Sequence, residues 1–184
     1  MRSSEGPRVY PPAEDSDLLL ETALEAVEPG DQVLEVGTGS GYVAATLEDH
    51  VDSVVATDVE IEAARRARER GVEVVLTDLA AGVDHAFDVV CFNPPYLPEH
   101  EDTTADDPMG RALVGGETGV ETTLRFLYDL PRLLASDGVG LVVTSSLADH
   151  DAVETRARAN GFDTRVVAED RFFFEVLRVL ALEP

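Results

Sequence analysis

Asn93-Pro94-Pro95-Tyr96 directly follows the apolar run Phe87-Asp88-Val89-Val90-Cys91-Phe92. Prolines at that point end the strand rigidly, because each fixes φ and removes a backbone donor, and the direction of the asparagine side chain is thereby set. The chemistry this suits is transfer to a planar NH2 group. An amide nitrogen is a poor nucleophile because its lone pair is delocalised into the carbonyl. If Asn93 Oδ1 and the Pro94 carbonyl accept the two N–H bonds, they hold the group and favour positive charge on nitrogen. The lone pair is then free for in-line displacement at a sulfonium methyl, by positioning and electrostatics and without a protein nucleophile. Tyr96 is placed to stack on the planar group. Asn93, Pro94 and Tyr96 are the catalytic candidates, and Pro95 joins them as a substrate contact. A plain strand-ending turn has the same four letters, so the reading depends on its surroundings.

Those surroundings include a second site. Leu34-Glu35-Val36-Gly37-Thr38-Gly39-Ser40-Gly41 runs a strand into glycines and then a helix. Gly37 and Gly39 let backbone approach a ligand at φ values other residues avoid. Asp58 ends the next strand, 21 positions after Gly37, where it can accept from both hydroxyls of a ribose. Asp78 and Leu79 end the strand after that, an acid for an adenine amino group and an apolar side chain for the ring. A nicotinamide enzyme also places an acid about 20 residues after its glycines. The spacing here is G-x-G-x-G rather than G-x-G-x-x-G, which favours a nucleoside without a pyrophosphate.

To position both sites the chain alternates short apolar runs with helical patterns, the signature of an α/β protein with a mostly parallel sheet. The expected helices cover about Glu14–Val27, from Gly41, Glu60–Arg70, Val120–Leu134 and Asp149–Asn160. The expected strands are Gln32–Val36, Ser53–Thr57, Val72–Leu76, Phe87–Phe92, Val139–Thr144, Asp163–Val167 and Phe172–Leu182. The third and fourth read as continuous apolar runs, as strands covered on both faces do. The last two read as an antiparallel hairpin added to the parallel sheet. Leu97 to Gly119 reads as a long polar loop with six acids between Glu99 and Glu117, Asp102 among them, and glycines at Gly115, Gly116 and Gly119. A loop of that length is usually functional or mobile.

At 184 residues, 44% of them hydrophobic, the chain suits one domain spanning 1–184 with a sizeable core. The start of the chain lacks an apolar signal region and no apolar run would span a bilayer, so a soluble, cytoplasmic protein with no membrane partner is expected. Acids number 37 against 14 basic residues, all arginine, and the net charge is −23. The acids are scattered, as in a proteome adapted to a salt-rich, halophilic cytoplasm where self-repulsion is screened. Direct binding to nucleic acid is disfavoured by the same charge. Cys91 is the sole cysteine, and His50, His85, His100 and His150 lie too far apart for a ligand pair, so no metal site is expected.

From about Tyr10 to Leu182 the chain resembles the HemK-type release-factor glutamine methyltransferases, and specifically their short archaeal and eukaryotic branch. Asn93-Pro94-Pro95-Tyr96 carries the likeness, with Val9-Tyr10-Pro11-Pro12-Ala13-Glu14-Asp15-Ser16, Arg111-Ala112-Leu113 and Gly115-Gly116. The resemblance implies a Rossmann-like class I methyltransferase fold, a seven-stranded sheet in the order 3-2-1-4-5-7-6 with the last strand antiparallel. It implies S-adenosyl-L-methionine as cofactor, held by Ser16, Glu35, Gly37, Thr38, Gly39, Asp58, Asp78, Leu79 and Asn93. The implied substrate is the glutamine in the Gly-Gly-Gln loop of a class I peptide release factor, methylated at N5. The implied partner is a small zinc-binding activator subunit added at the strand-three edge, making a heterodimer. Bacterial relatives carry an N-terminal helical domain for which this chain has no room. Ser16 stands where threonine is common.

Other readings stay open on the residues alone. The same four-residue motif grips a nucleobase amino group, as in N6-adenine methylation, although the charge opposes holding a phosphate backbone. A lysine methylase fits Asn93 less well than a planar NH2 does. An inactive cofactor-binding subunit of a larger complex would need no intact motif. A nicotinamide dehydrogenase would need a His or Tyr–Lys constellation, and the chain has no lysine.

Overall fold

The structure, a computed structural model, describes Val9, residues 11–100 and residues 108–184. Tyr10 and the acids from Glu101 to Asp107, Asp102 included, lie outside the described residues.

In chain order the elements are α1 (Glu14–Ala26), β1 (Gln32–Val36), α2 (Tyr42–Leu47), β2 (Ser53–Asp58), α3 (Ile61–Glu69), β3 (Glu73–Leu76) and β4 (Phe87–Phe92). Then come β5 (Leu97–Pro98), α4 (Pro108–Leu113), β6 (Val114–Gly116), α5 (Glu121–Leu133), β7 (Leu134–Ser145), α6 (His150–Ala159), β8 (Asp163–Arg171) and β9 (Val176–Glu183). Seven strands form one sheet in the order β3-β2-β1-β4-β7-β9-β8. Counted within the sheet this is 3-2-1-4-5-7-6, the expected order. β9 runs antiparallel to both β7 and β8, and the other pairings are parallel.

Successive strand residues point to opposite faces, so each strand feeds two cores. Val33, Val89, Cys91, Leu141 and Val143 pack with Leu19 of α1, Val43 and Leu47 of α2 and Ala64 and Ala67 of α3. Leu34, Val90, Phe92 and Val142 pack on the other face with Phe126, Leu127 and Leu130 of α5 and Val153 and Ala157 of α6. Pro131 lies inside α5 and supplies no N–H to the Leu127 carbonyl four residues back. Asn160 Nδ2, just past α6, donates to that carbonyl at 2.6 Å, which satisfies it and ties the two helices together.

Three expectations need correction. Strand three is not covered on both faces: in β3 only Val74 is buried, while Glu73, Val75 and Leu76 are exposed. Apolar character alone does not separate an internal strand from an uncovered edge. The segment 97–119 is not simply a loop, since β5 and β6 pair in a short parallel ladder and α4 leads into β6. Two- and three-residue strands carry no periodicity to read. Finally, the last strand starts at Val176, and Phe172 to Glu175 form the turn before it, closed by Phe172 N donating to Glu175 O at 2.8 Å. Three phenylalanines read as strand by composition, but here they sit at a tip.

Candidate active site

The parallel strands all end on one side of the sheet, the side where open α/β sheets bind ligands. A cavity of about 430 Å³ opens there, and every residue proposed above for cofactor or substrate lines it, from Ser16 on α1 to Tyr96 after β4.

Its floor is the turn after β1. Gly37, Gly39 and Gly41 have φ of +66°, +56° and +76°. A side chain at Gly41 would place its Cβ 2.7 Å from Ala67 Cα, so this glycine is also what lets α2 begin against α3. Glu35 is buried beneath the turn, where its Oε2 accepts from Thr38 Oγ1 at 2.5 Å and from Ala44 N at 3.0 Å. Glu35 and Thr38 therefore hold each other and the start of α2, with that oxygen committed to the protein. Burial pushes the Glu35 carboxyl up to about 7, against the opposing pull of its two hydrogen bonds, with nearby Asp58 adding to the rise.

The wall is built by the ends of β2 and β3. Asp58 Oδ2 accepts from Gly39 N and Oδ1 from Glu60 N, each at 2.8 Å, which fixes the carboxylate against the glycine turn. Burial raises its pKa, and the two amide bonds oppose the rise. Asp78 Oδ2 meets Arg125 of α5 at 2.5 Å. The pair is exposed, so its effect is to orient Asp78 rather than to stabilise the fold. Leu79 has φ of +51°, the one non-glycine residue with positive φ among the described residues. A leucine held in that left-handed region is strained, and such strain concentrates at ligand sites.

The roof is the turn after β4. Asn93 Oδ1 is buried and has no hydrogen-bond partner among the described residues. An acceptor left so costs about 1–3 kcal/mol, and this one belongs to a side chain lining the cavity. Tyr96 is held from α1: its hydroxyl donates to Asp15 Oδ2 at 3.3 Å, while Asp15 Oδ1 accepts from Ser16 N at 2.7 Å and Ser16 Oγ at 3.3 Å. The glycines of the 97–119 segment close over the same turn. A Cβ at Gly115 would lie 2.3 Å from Pro95 O, and one at Gly119 would lie 2.4 Å from Tyr96 O. Arg111 of α4 reaches across to Glu60 Oε1 at 2.6 Å.

Sequence reasoning missed Asp15 and Arg125 as parts of this site. Asp15 reads as one of three acids in the first turn of α1, the ordinary helix-dipole pattern. Arg125 had no local signal, since only the packing of α5 brings it to Asp78. Among the described residues no cluster could hold a metal, and no helix is long and apolar enough to cross a membrane.

Against known proteins, the family model described as the methyltransferase small domain matches residues 13–173. The chain belongs to that family. A Methanocaldococcus jannaschii relative named for protein N5-glutamine methylation is 34% identical over 181 residues, covering 95% of this chain and 91% of its own. The release factor glutamine methyltransferase of Deinococcus radiodurans is 31% identical, over 77% of this chain and 56% of its own. Among solved structures, a chain of the E. cuniculi Mtq2–Trm112 complex, responsible for methylation of the eRF1 translation termination factor, superposes with a TM-score of 0.81. It is 28% identical and covers 96% of this chain and 99% of that one.

The buried Glu35 yields a pH test. Between its unfolded value, 4.5, and its folded value, about 7, the unfolded state ionises while the folded state keeps its proton. The folded protein thus loses stability as pH rises through that window, by on the order of 3 kcal/mol in all. Glu35→Gln keeps a carbonyl acceptor for Thr38 and Ala44 but carries no charge. Its stability relative to wild type, followed by denaturant unfolding, is expected to climb from pH 4.5 to pH 7 and level off above. A difference that stays flat across that range contradicts the burial argument.

Proposed function

We propose that the chain is the catalytic subunit of an S-adenosylmethionine-dependent protein-glutamine N5-methyltransferase. Its substrate is the Gly-Gly-Gln loop of a class I peptide release factor. The observation that carries the reading is Asn93 Oδ1, a buried acceptor without a partner among the described residues, on a side chain lining the cavity that holds the glycine turn and Asp58. The name of the Methanocaldococcus relative supports a protein glutamine as acceptor, and those of the Deinococcus relative and the Mtq2–Trm112 complex support a release factor.

The cofactor fits the cavity on this structure's own features. Its volume of about 430 Å³ is that of a small-molecule site. Gly37 and Gly39 leave room beside the backbone, Asp58 stands at the ribose end, and Asp78 with Leu79 stands at the base end. When bound, S-adenosylmethionine supplies a methyl group on a sulfonium, an electrophile needing no further activation. The remaining work is orientation of the amide. Asn93 Oδ1 would accept one N–H and the Pro94 carbonyl the other, so that the NH2 group is fixed and positive charge on its nitrogen is stabilised. Tyr96, anchored by Asp15, covers the planar face of the amide. Pro94 and Pro95 hold these groups still, and Gly115 and Gly119 let the neighbouring segment press on the Pro95 and Tyr96 carbonyls.

The partner is a small zinc-binding activator docked at the free edge of β3. Val75 and Leu76 on that strand are 39% and 46% exposed, and Val59 and Ile61 beside it are 57% and 72% exposed. Leu76 is in register with Asp58, which brings it next to Val59. An apolar strand edge left bare is an aggregation hazard, and a covering subunit removes it. The cytoplasm is the compartment where release factors work, and the lysine-free surface with net charge −23 suits one rich in salt.

Asn93→Ala is expected to lower kcat by at least about a hundred-fold, the scale of losing a positioned transition-state acceptor, with S-adenosylmethionine affinity by calorimetry nearly unchanged. Parallel loss of binding and turnover would show Asn93 to be a structural part of the cofactor site instead. For the edge, Ile61→Asp with Leu76→Asp is expected to abolish co-purification of the activator while circular dichroism in high salt stays native. Retention of the activator by this double variant would move the interface elsewhere.

A further inference from the structure

The β8–β9 turn carries three exposed phenylalanines for which the cofactor site and the β3 edge have no use. Phe172 is 42% exposed, Phe173 91% and Phe174 82%. Such a run on a charged surface marks an interaction site. The turn is also built, not loose. Besides the bond that closes it, Ser145 Oγ donates to Glu175 Oε1 at 2.6 Å and Val176 N donates to Ser146 Oγ at 2.9 Å, pinning the tip to the end of β7. Phe173 and Phe174 meet edge to face, with centroids 4.5 Å apart.

The position of the tip decides its use. β8 runs parallel to β7, so residues 172–175 emerge at the same end of the sheet as Asn93. A second hollow, of about 340 Å³, lies between the tip and the active site, and its lining includes Glu14, Asp15, Tyr96, Phe173, Phe174 and Glu175. Tyr96 and Asp15 line both this hollow and the cofactor cavity, so the two adjoin across the residue that covers the amide. The tip lies on the β8 edge of the sheet, at the opposite end of the strand order from β3.

We propose that this hollow and the phenylalanine tip form the docking site for the protein substrate, receiving the segment next to the methylated glutamine. This rests on the release-factor reading given above. The occupant follows from the chemistry of the lining. Phe173 and Phe174 bury an apolar side chain, and the carboxylates of Glu14, Asp15 and Glu175 face arginine or lysine beside it. Of the neighbouring arginines, Arg171 and Arg178 share the one carboxylate of Glu169, so they leave a single net positive charge against the three carboxylates of the lining. The segment thus lies across Tyr96 while its glutamine enters toward Asn93. Aromatic anchors of this kind dominate protein interfaces.

The test uses the chain co-expressed with its activator, full-length release factor, and the double variant Phe173→Ser with Phe174→Ser. Both side chains are exposed, so the fold does not depend on them. KM for the release factor is expected to rise about ten-fold or more, with kcat retained and S-adenosylmethionine affinity unchanged. An unchanged KM overturns the docking site and leaves the reaction standing. In a second arm a photo-crosslinking phenylalanine analogue replaces Phe173. Adducts on release-factor peptides flanking the Gly-Gly-Gln loop support the proposal, and adducts confined to the activator or to a second copy of this chain overturn it. Failure of the wild-type complex to methylate the factor at all refutes the release-factor reading and the docking site with it.

Discussion

A carbonyl oxygen, Asn93 Oδ1, buried without a partner among the described residues is the feature to which the rest of this structure answers. Left alone, Asn93 would turn its side chain toward any donor in reach, because an unmet buried acceptor is costly. The surrounding chain prevents this. Phe92 is locked in the core between the sheet and Phe126, the two prolines remove backbone freedom, and the Gly115–Gly119 segment packs on the Pro95 and Tyr96 carbonyls. Asp15 reaches over from α1 to hold Tyr96. Stability is thus given up at this atom, and under the proposed function an incoming NH2 group finds its acceptor already in place.

The same logic governs the acids around the cavity. In a protein with net charge −23, placing Glu35 and Asp58 in low dielectric near each other works against folding. Each is tolerated because backbone N–H groups point at it: Ala44 at Glu35, and Gly39 and Glu60 at Asp58. The glycine turn presents the Gly39 amide and starts the helix that carries the Ala44 amide, while the Glu60 amide comes from the bend just past Asp58 itself. The glycine turn therefore does two things, leaving space for a ligand and supplying donors to the carboxylates that shape its walls.

Much of this was legible in the sequence, and the parts that were not share a cause. The glycine turn, the acids closing β2 and β3, and Asn93-Pro94-Pro95-Tyr96 each sit at a strand end, where a periodic apolar run meets a conformationally special residue. Their convergence follows once the sheet order is known. Asp15, Arg125 and the pairing of Leu97 with Val114 depend on side chains or short strands meeting across distant parts of the chain, and nothing in their neighbours announces it. β3 and the Phe172–Phe174 tip misled in a different way. Their composition says apolar, but whether apolar residues face a core or solvent depends on the elements that do or do not cover them. Two places where composition and burial disagree, the β3 edge and this tip, are the surfaces proposed for other proteins.

The central claim is that this cavity methylates a glutamine amide, and labelled transfer tests it most directly. The chain with its activator, in high salt, would be given methyl-labelled S-adenosylmethionine and either wild-type release factor or the factor with its loop glutamine changed to asparagine. Asparagine keeps the amide but withdraws it by one methylene from Asn93. Label on the wild-type factor alone is the predicted result. Label on both factors, or on neither while the cofactor still binds, would contradict the claim.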